Sequence, residues 1–375
     1  MPQWLTVADC KAVLQSLLGA ELSAYRGVAA DWQENPDIDS LERLHLAGCV
    51  NEFFRLHETG VEDRLLMTSS IDDWASLVAQ ATMETSGLTF RTSGSTGQPT
   101  AHLHPWNQIA AEAKALELCL ADVLSIQRVL SWLPLHHLYG FMLGIALPAV
   151  GQIPRLWVNS HALPEITSGD LVVTVPPRWD YLARSGKPWP PQVVGVTSTA
   201  PLCEATADHL LELGLTGLLD IYGSTETGGV ATRWRPDPNY QLLTHWLRSD
   251  HLHIQRKGDT VTIPLLDKTH WLSDRTFHLN GRIDDVVSIG GVNVSPSLIT
   301  ERLLALDSVD GCTVRPIKAA SQTRLKAFIV PAASEAITSD EIAKTISQWP
   351  AAERPISFTY GAVLPTNTMG KLTDW

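Results

Sequence analysis

From Thr6 to Leu22 the apolar residues recur at helical spacing. Cys10, Val13, Leu14, Leu17, Leu18 and Leu22 fall on one face, and Thr6 with Asp9 stands at capping-box distance. Further along, short β-branched or apolar runs are bounded by Gly and Pro. Leu88–Phe90, Val129–Leu135, Leu171–Val175, Val193–Val196, Leu218–Tyr222 and Val261–Leu266 read as strands. Between them, Asn107–Leu124 and Cys203–Leu213 carry the 3.6-residue period of helices. Alternating strand and helix signals predict an α/β architecture with largely buried strands. After Arg282 the pattern restarts on a smaller scale: strand Val286–Ile289, a Gly-Gly turn, helix Ser297–Leu306, strand Leu325–Val330 and helix Ser339–Trp349. The expectation is a large domain over 1–281 and a small α+β domain over 282–375, with the break near Asp284.

Composition narrows the classes. A chain of 375 residues with 44% apolar and 18% charged residues has material for a sizeable core, which argues against disorder. Lys and Arg total 28 against 40 Asp and Glu, a net charge of −12. Such a surface repels polyanions, so nucleic acid is not an expected partner. The most apolar stretch, Phe141–Val150, is about half of what a bilayer span needs, and the opening residues lack a basic segment followed by an apolar one. No membrane span and no secretory signal are expected. The five cysteines are scattered without C-x-x-C spacing, which fits reduced thiols in a cytoplasmic protein better than a disulfide or zinc framework.

Four segments carry candidate chemistry. Thr92, Ser93, Gly94, Ser95, Thr96, Gly97, Gln98 and Pro99 follow a strand; glycines turn the backbone so that its N–H groups converge, and the hydroxyls add donors for a polyphosphate. The spacing is not that of a Walker A loop, and a flexible surface turn is the competing reading. Asp220–Gly228 delivers Tyr222, the Gly223 turn, Thr225 and Glu226 from a strand end. That set suits purine stacking, a phosphate contact and a magnesium carboxylate, or it is simply a strand-to-turn boundary. Gly281-Arg282-Ile283-Asp284-Asp285 is either a sugar-diol site or a surface ion-pair cluster, and Lys371 near the C-terminus is by itself an ordinary solvated lysine.

Occurring together and in this order, the segments resemble the signature set of the adenylate-forming superfamily, which holds acyl- and aryl-CoA synthetases, peptide-synthetase adenylation domains and luciferases. The resemblance runs from about Leu88 to Lys371. It implies a large adenylation domain with mixed sheets and flanking helices plus a small mobile lid. Residues 92–97 match the phosphate loop, and Pro134–Gly140, with His137 and Tyr139, looks like the segment beside the acyl pocket. Ser198–Leu202, with Ala200 and Pro201, resembles the adenine-side loop, and Tyr222-Gly223-Ser224-Thr225-Glu226 the nucleotide motif. Trp271–Asp274 resembles the ribose segment, Gly281–Asp285 the hinge, and Thr366–Leu372 the stretch bearing the catalytic lysine. Two departures stand out: Thr100 occupies the place of the usual loop lysine, and Ser273 precedes Asp274 where glycine is usual. The chain is also shorter than typical members, which suggests a trimmed N-terminal part.

By resemblance, the chain is an acid–thiol ligase. A carboxylate attacks the α-phosphate of ATP to give an acyl-adenylate, and a thiol then displaces AMP. Lys371 would bridge carboxylate and α-phosphate, with Thr225 on phosphate and Glu226 on Mg²⁺. Asp274 and Arg282 would bind ribose, Tyr222 with Gly223 adenine, and Asp284 would be the hinge. His137 would gate the acyl pocket, unless it is a satisfied core histidine, with Gly228 leaving room beside the acid. No carrier module follows Lys371, so the acceptor is CoA or the phosphopantetheine thiol of a separate acyl carrier protein; Arg315, Lys318, Arg324 and Lys326 offer a basic patch for the latter. Trp132, His137, Tyr139 and Tyr222 favour a flat aryl acid, such as a hydroxybenzoate or cinnamate. A medium-chain fatty acyl ligase and a non-catalytic nucleotide-binding relative are the alternatives.

Overall fold

The computed structural model describes residues 4–27, 37–68, 70–92, 100–123, 125–158, 164–282, 286–319, 322–332, 335–365 and 374–375, except the side chains of 282, 336 and 337. These residues form two compact units. One holds the described residues of Met1–Thr92, Thr100–Pro264 and His270–His278; the other holds those of Leu265–Thr269 and Leu279–Trp375.

The first unit opens on the helix Val7–Arg26, whose capping box is formed as its spacing predicts: Thr6 Oγ1 accepts from Asp9 N, and Asp9 Oδ2 from Thr6 N. Ser40–Phe54 repeats the device with Asp39 and Glu42, and Ile71–Ala81 is capped by Ser70. Neither of these two helices is among the elements expected from the sequence. The apolar residues of Ser40–Phe54 are spread round the helix rather than gathered in a stripe, so periodicity does not announce it.

Among the described residues a nine-stranded mixed sheet organises the rest, its strands Asp267–Trp271 and Thr276–Arg282 being only partly made of this unit's residues. Its order is Asp267–Trp271, Thr276–Arg282, Tyr240–Leu242, Gly228–Trp234, Gly217–Ser224, Val194–Thr197, Asp170–Val173, Arg128–Ser131, Arg155–Trp157. The last five run parallel; pairing becomes antiparallel from Gly217–Ser224 to Gly228–Trp234 and on to Tyr240–Leu242. Asp170–Val173 and Val194–Thr197 are buried along their whole length, which is why they read as unbroken apolar runs. Helices Pro176–Arg184 and Glu204–Glu212 cover the parallel half, burying Trp179 and Leu210 against Leu130, Val172, Val193 and Leu218. Trp132, expected beside the acid, belongs to this core and is 9% exposed. The apolar stretch Leu138–Val150 is helical, with a π turn at Met142–Ala146, and no described helix is long and apolar enough to cross a membrane.

In the second unit the helix Pro296–Leu304 and the strands Val309–Ala319 and Gln322–Pro331 bury Ile299, Leu303, Leu325 and Ile329 together with Ile342 and Trp349. Of the basic patch expected on it, Arg315, Arg324 and Lys326 share one face of the hairpin, Arg315 opposite Lys326 and Arg324 opposite Ile317, while strand alternation sends Lys318 to the other face. Lys326 is 7% exposed and its Nζ contacts Asp374 Oδ1 at 2.6 Å and the Trp375 carbonyl at 2.7 Å.

Candidate active site

Segments expected to carry chemistry leave the carboxyl ends of three strands in the parallel half of the sheet. His137 follows Arg128–Ser131, Ala200 and Pro201 follow Val194–Thr197, and Thr225 with Glu226 follows Gly217–Ser224. In open α/β sheets that edge is where ligands are received, because the loops converge there while the strands stay rigid. Direct bonds tie the segments together. Tyr139 Oη donates to the carbonyls of Thr174 (3.2 Å) and Val196 (3.1 Å), and Ser198 Oγ donates to that of Ile221 (2.8 Å), next to Tyr222. Tyr139 is thus a tether whose hydroxyl is spent on backbone. Thr199 adopts φ 76°, a left-handed conformation costly for a β-branched residue, immediately before Ala200.

Glu226 sits at the tip of the hairpin between Gly217–Ser224 and Gly228–Trp234 and is exposed, with Thr225 half-buried beside it. Gly223 is required there, since a Cβ would lie 2.1 Å from the Gly228 carbonyl oxygen. Tyr222 is half-buried and meets Tyr240 and Phe277 edge-on, each at a centroid distance of 5.9 Å. Asp274 is fully exposed in the turn between Asp267–Trp271 and Thr276–Arg282, with Arg248 at 3.8 Å.

The turn is clamped from beneath by four side chains that no sequence motif marks. His104 Nε2 donates to the Thr225 carbonyl at 2.7 Å, Arg256 donates to that of Thr227, and Trp246 Nε1 to that of Gly229 at 2.8 Å. Glu112 Oε1 accepts from Gly229 N at 2.9 Å. Gly228 has φ 74°, and a Cβ on it would stand 2.3 Å from Glu112 Oε2, so the glycine lets the carboxylate approach the backbone rather than leaving room for an acid. Burial pushes the Glu112 carboxyl up to about 7, against the Gly229 N–H and Arg256, which both favour the anion. Burial lowers His104 to about 4, so near neutrality it is an uncharged donor. One of the four left a trace in the sequence: Glu112 falls on the apolar stripe of its helix with Ile109 and Leu116.

His136 and His137 pack at a centroid distance of 4.3 Å. Ser16 Oγ accepts from Leu135 N and lies 2.9 Å from His136 Nδ1, and desolvation, with His137 adding to it, lowers His136 to about 3. His137 is the solvent-reached member; the protein crowding its ring still lowers its pKa by desolvation. Thr92 N donates to the Thr100 carbonyl at 2.9 Å. Ser93, Gly94, Ser95, Thr96, Gly97, Asp284 and Lys371 lie outside the described residues, as does the side chain of Arg282.

Residues 89–248 match the AMP-binding enzyme family. A 4-coumarate–CoA ligase of Halorhodospira halophila is 44% identical over 99% of this chain and 100% of its own, and one of Rhodobacter capsulatus is 32% identical over 94% of each. The solved o-succinylbenzoate CoA synthetase of Bacillus subtilis shares the fold, with a TM-score of 0.63 at 14% identity over 98% of this chain and 92% of its own. Likeness along the whole length, to relatives of matching length, places the chain in the AMP-binding, adenylate-forming family.

Proposed function

We propose that this protein is an AMP-forming acid–thiol ligase that activates an aryl acid of the 4-hydroxycinnamate kind with ATP and transfers it to CoA. The observation that carries the reading is the 44% identity, over 99% of the chain, to a 4-coumarate–CoA ligase. Two half-reactions follow. A carboxylate oxygen of the acid attacks the α-phosphorus, the bond to the β-phosphate's bridging oxygen breaks, and pyrophosphate leaves with the electron pair. The CoA sulfur, as thiolate, then attacks the acyl carbonyl and AMP departs.

The first step brings an anion to a polyanion, so the protein must offer positive charge and oriented donors. Lys371, from its place in the sequence, bridges the carboxylate and α-phosphate. Tyr222 and the Ala200–Pro201 loop take the adenine, Asp274 and Arg282 the ribose, and Thr92 with the loop that follows it the departing phosphates. Glu226 suits Mg²⁺: it is an exposed carboxylate on a firmly held turn, and that ion binds through one or two carboxylates plus phosphate oxygens. When bound, the ion neutralises phosphate charge. His137, at the start of the Leu138–Phe141 helix, borders the acid, with Tyr139 holding that segment to the sheet. Residues 282–375 act as the lid, turning about Asp284 between half-reactions.

The deciding experiment is a panel of aryl and medium-chain fatty acids assayed for acid-dependent ATP–pyrophosphate exchange, with mass detection of the CoA and carrier-protein thioesters. 4-Coumarate and CoA are expected to give the highest turnover. Fatty acids outrunning every aryl acid, or a carrier protein outrunning CoA, would refute the assignment.

A further inference from the structure

Thr100, His102 and His104 point to one side, stepping by two along and just before the Ala101–Pro105 strand. His104 is used on the Thr225 carbonyl and is buried. His102, one step nearer the phosphate-loop neck, is only half-buried, and its Nε2 lies 2.9 Å from Thr100 Oγ1 and 4.0 Å from Glu226 Oε1. Thr100 in turn donates its N–H to Thr92 Oγ1 at 3.0 Å, and the two hydroxyls stand 3.1 Å apart. The chain of contacts Thr92–Thr100–His102–Glu226 therefore links the neck of the phosphate loop to the nucleotide turn.

Where Thr100 stands there is no ammonium group, yet a triphosphate must be held in a molecule of net charge −12. Arg256, the strongest base against this turn, is 8% exposed and engaged with Thr227 and Glu112 beneath it. Among the described residues bonded to the turn or in ion-pair range of it, that leaves His102 as the basic side chain on its outer, solvent-reached side. We propose that His102 binds the β- and γ-phosphate end of ATP in place of a loop lysine, its Nε2–H exchanging the Thr100 hydroxyl that it meets in this structure for a phosphate oxygen. The inference rests on the ligase reading above and adds a phosphate-binding residue to it. No proton transfer is required: His102 stabilises charge on pyrophosphate as the α–β bond breaks.

The test compares His102→Ala, His102→Gln and His102→Lys with the wild type in ATP–pyrophosphate exchange, in AMP binding by calorimetry, and in thioester formation from preformed acyl-adenylate. Losing one charge-assisted hydrogen bond raises KM for ATP and for pyrophosphate about ten-fold or more in the alanine variant. Lysine and, in part, glutamine restore both. AMP binding and the second half-reaction, which involve no β- or γ-phosphate, stay within about two-fold of wild type by the same accounting. Unchanged KM values for ATP and pyrophosphate overturn the proposal, and so does an equal loss of AMP affinity, which marks a merely structural role. If wild-type exchange is intact and Glu226→Gln abolishes it while His102→Ala does not matter, only the histidine proposal fails. If wild type shows no acid-dependent exchange with any acid, the ligase reading fails first.

Discussion

Glu112 Oε1 accepts a hydrogen bond from Gly229 N at 2.9 Å, so a buried carboxylate from the helix Trp106–Ala121 holds the strand that returns from the turn bearing Glu226. The pairing joins residues 117 apart in the chain. It rests on Gly228, whose missing Cβ leaves space for the carboxylate, and on Arg256 beside it. The turn bearing Glu226 is thereby positioned by side chains that bond its backbone.

Replacing Glu112 by alanine strands the Gly229 N–H and leaves Arg256 without its neighbouring carboxylate. Leaving a buried donor unsatisfied costs about 1–3 kcal/mol, so Glu112→Ala should unfold at lower urea, and its adenylation rate should fall with it. Denaturant titration checks this; a midpoint equal to wild type would show that the pair is not holding the turn.

Titration gives a second expectation for the same residue. Its carboxyl is raised from 4.5 to about 7 in the folded protein, so the folded state keeps a proton that the unfolded chain releases. That contribution is fully present below pH 4.5 and is lost as pH rises through about 7. Glu112→Gln cannot ionise, so the stability of wild type relative to this variant should decline across that window. Parallel pH profiles would contradict it.

Three histidines act in the opposite direction. His104 and His245 are lowered from 6.5 to about 4, and His136 to about 3, each chiefly by burial. Their folded forms stay neutral while the unfolded chain takes up protons, so this stability is present above pH 6.5 and is lost as pH falls towards 4. Three histidines outweigh one glutamate, and the thermal midpoint of wild type should drop on acidification through that range. In His104→Asn the drop should be smaller, as calorimetry at several pH values would show.

Glu226→Gln removes the charge that would receive Mg²⁺ without touching the core. Acid-dependent pyrophosphate exchange should fall by about two orders of magnitude or more, with the thermal midpoint unchanged. Lys371→Ala should suppress the same exchange but spare thioester formation from preformed acyl-adenylate. Equal loss in both half-reactions would remove the role given to that lysine.

Thr199→Gly relieves a left-handed conformation that a β-branched side chain resists. The variant should gain about 1 kcal/mol in stability, measured by urea unfolding, while KM for ATP rises because the adenine-side loop is less firmly set. A less stable variant would mean that the threonine side chain makes a contact worth more than the strain.

What the sequence determined by itself was where the segments with candidate chemistry lie along the chain. Strand ends followed by Thr225–Glu226 or by Ser198–Pro201 are legible because glycine turns, hydroxyls and carboxylates lie within a few residues of one another. The buried parallel strands are legible too, because burial on both faces makes them continuously apolar. The tertiary structure alone decided which side chains serve that chemistry. His104, Glu112, Trp246 and Arg256 meet under one turn because the sheet order and the helix beside it bring distant segments together, and no short window of sequence records that meeting. It likewise assigned Trp132 to the core, Tyr139 to the backbone of two strands and Lys326 to the C-terminal residues, since a side chain's partner is set by the elements packed around it and not by its neighbours in the chain.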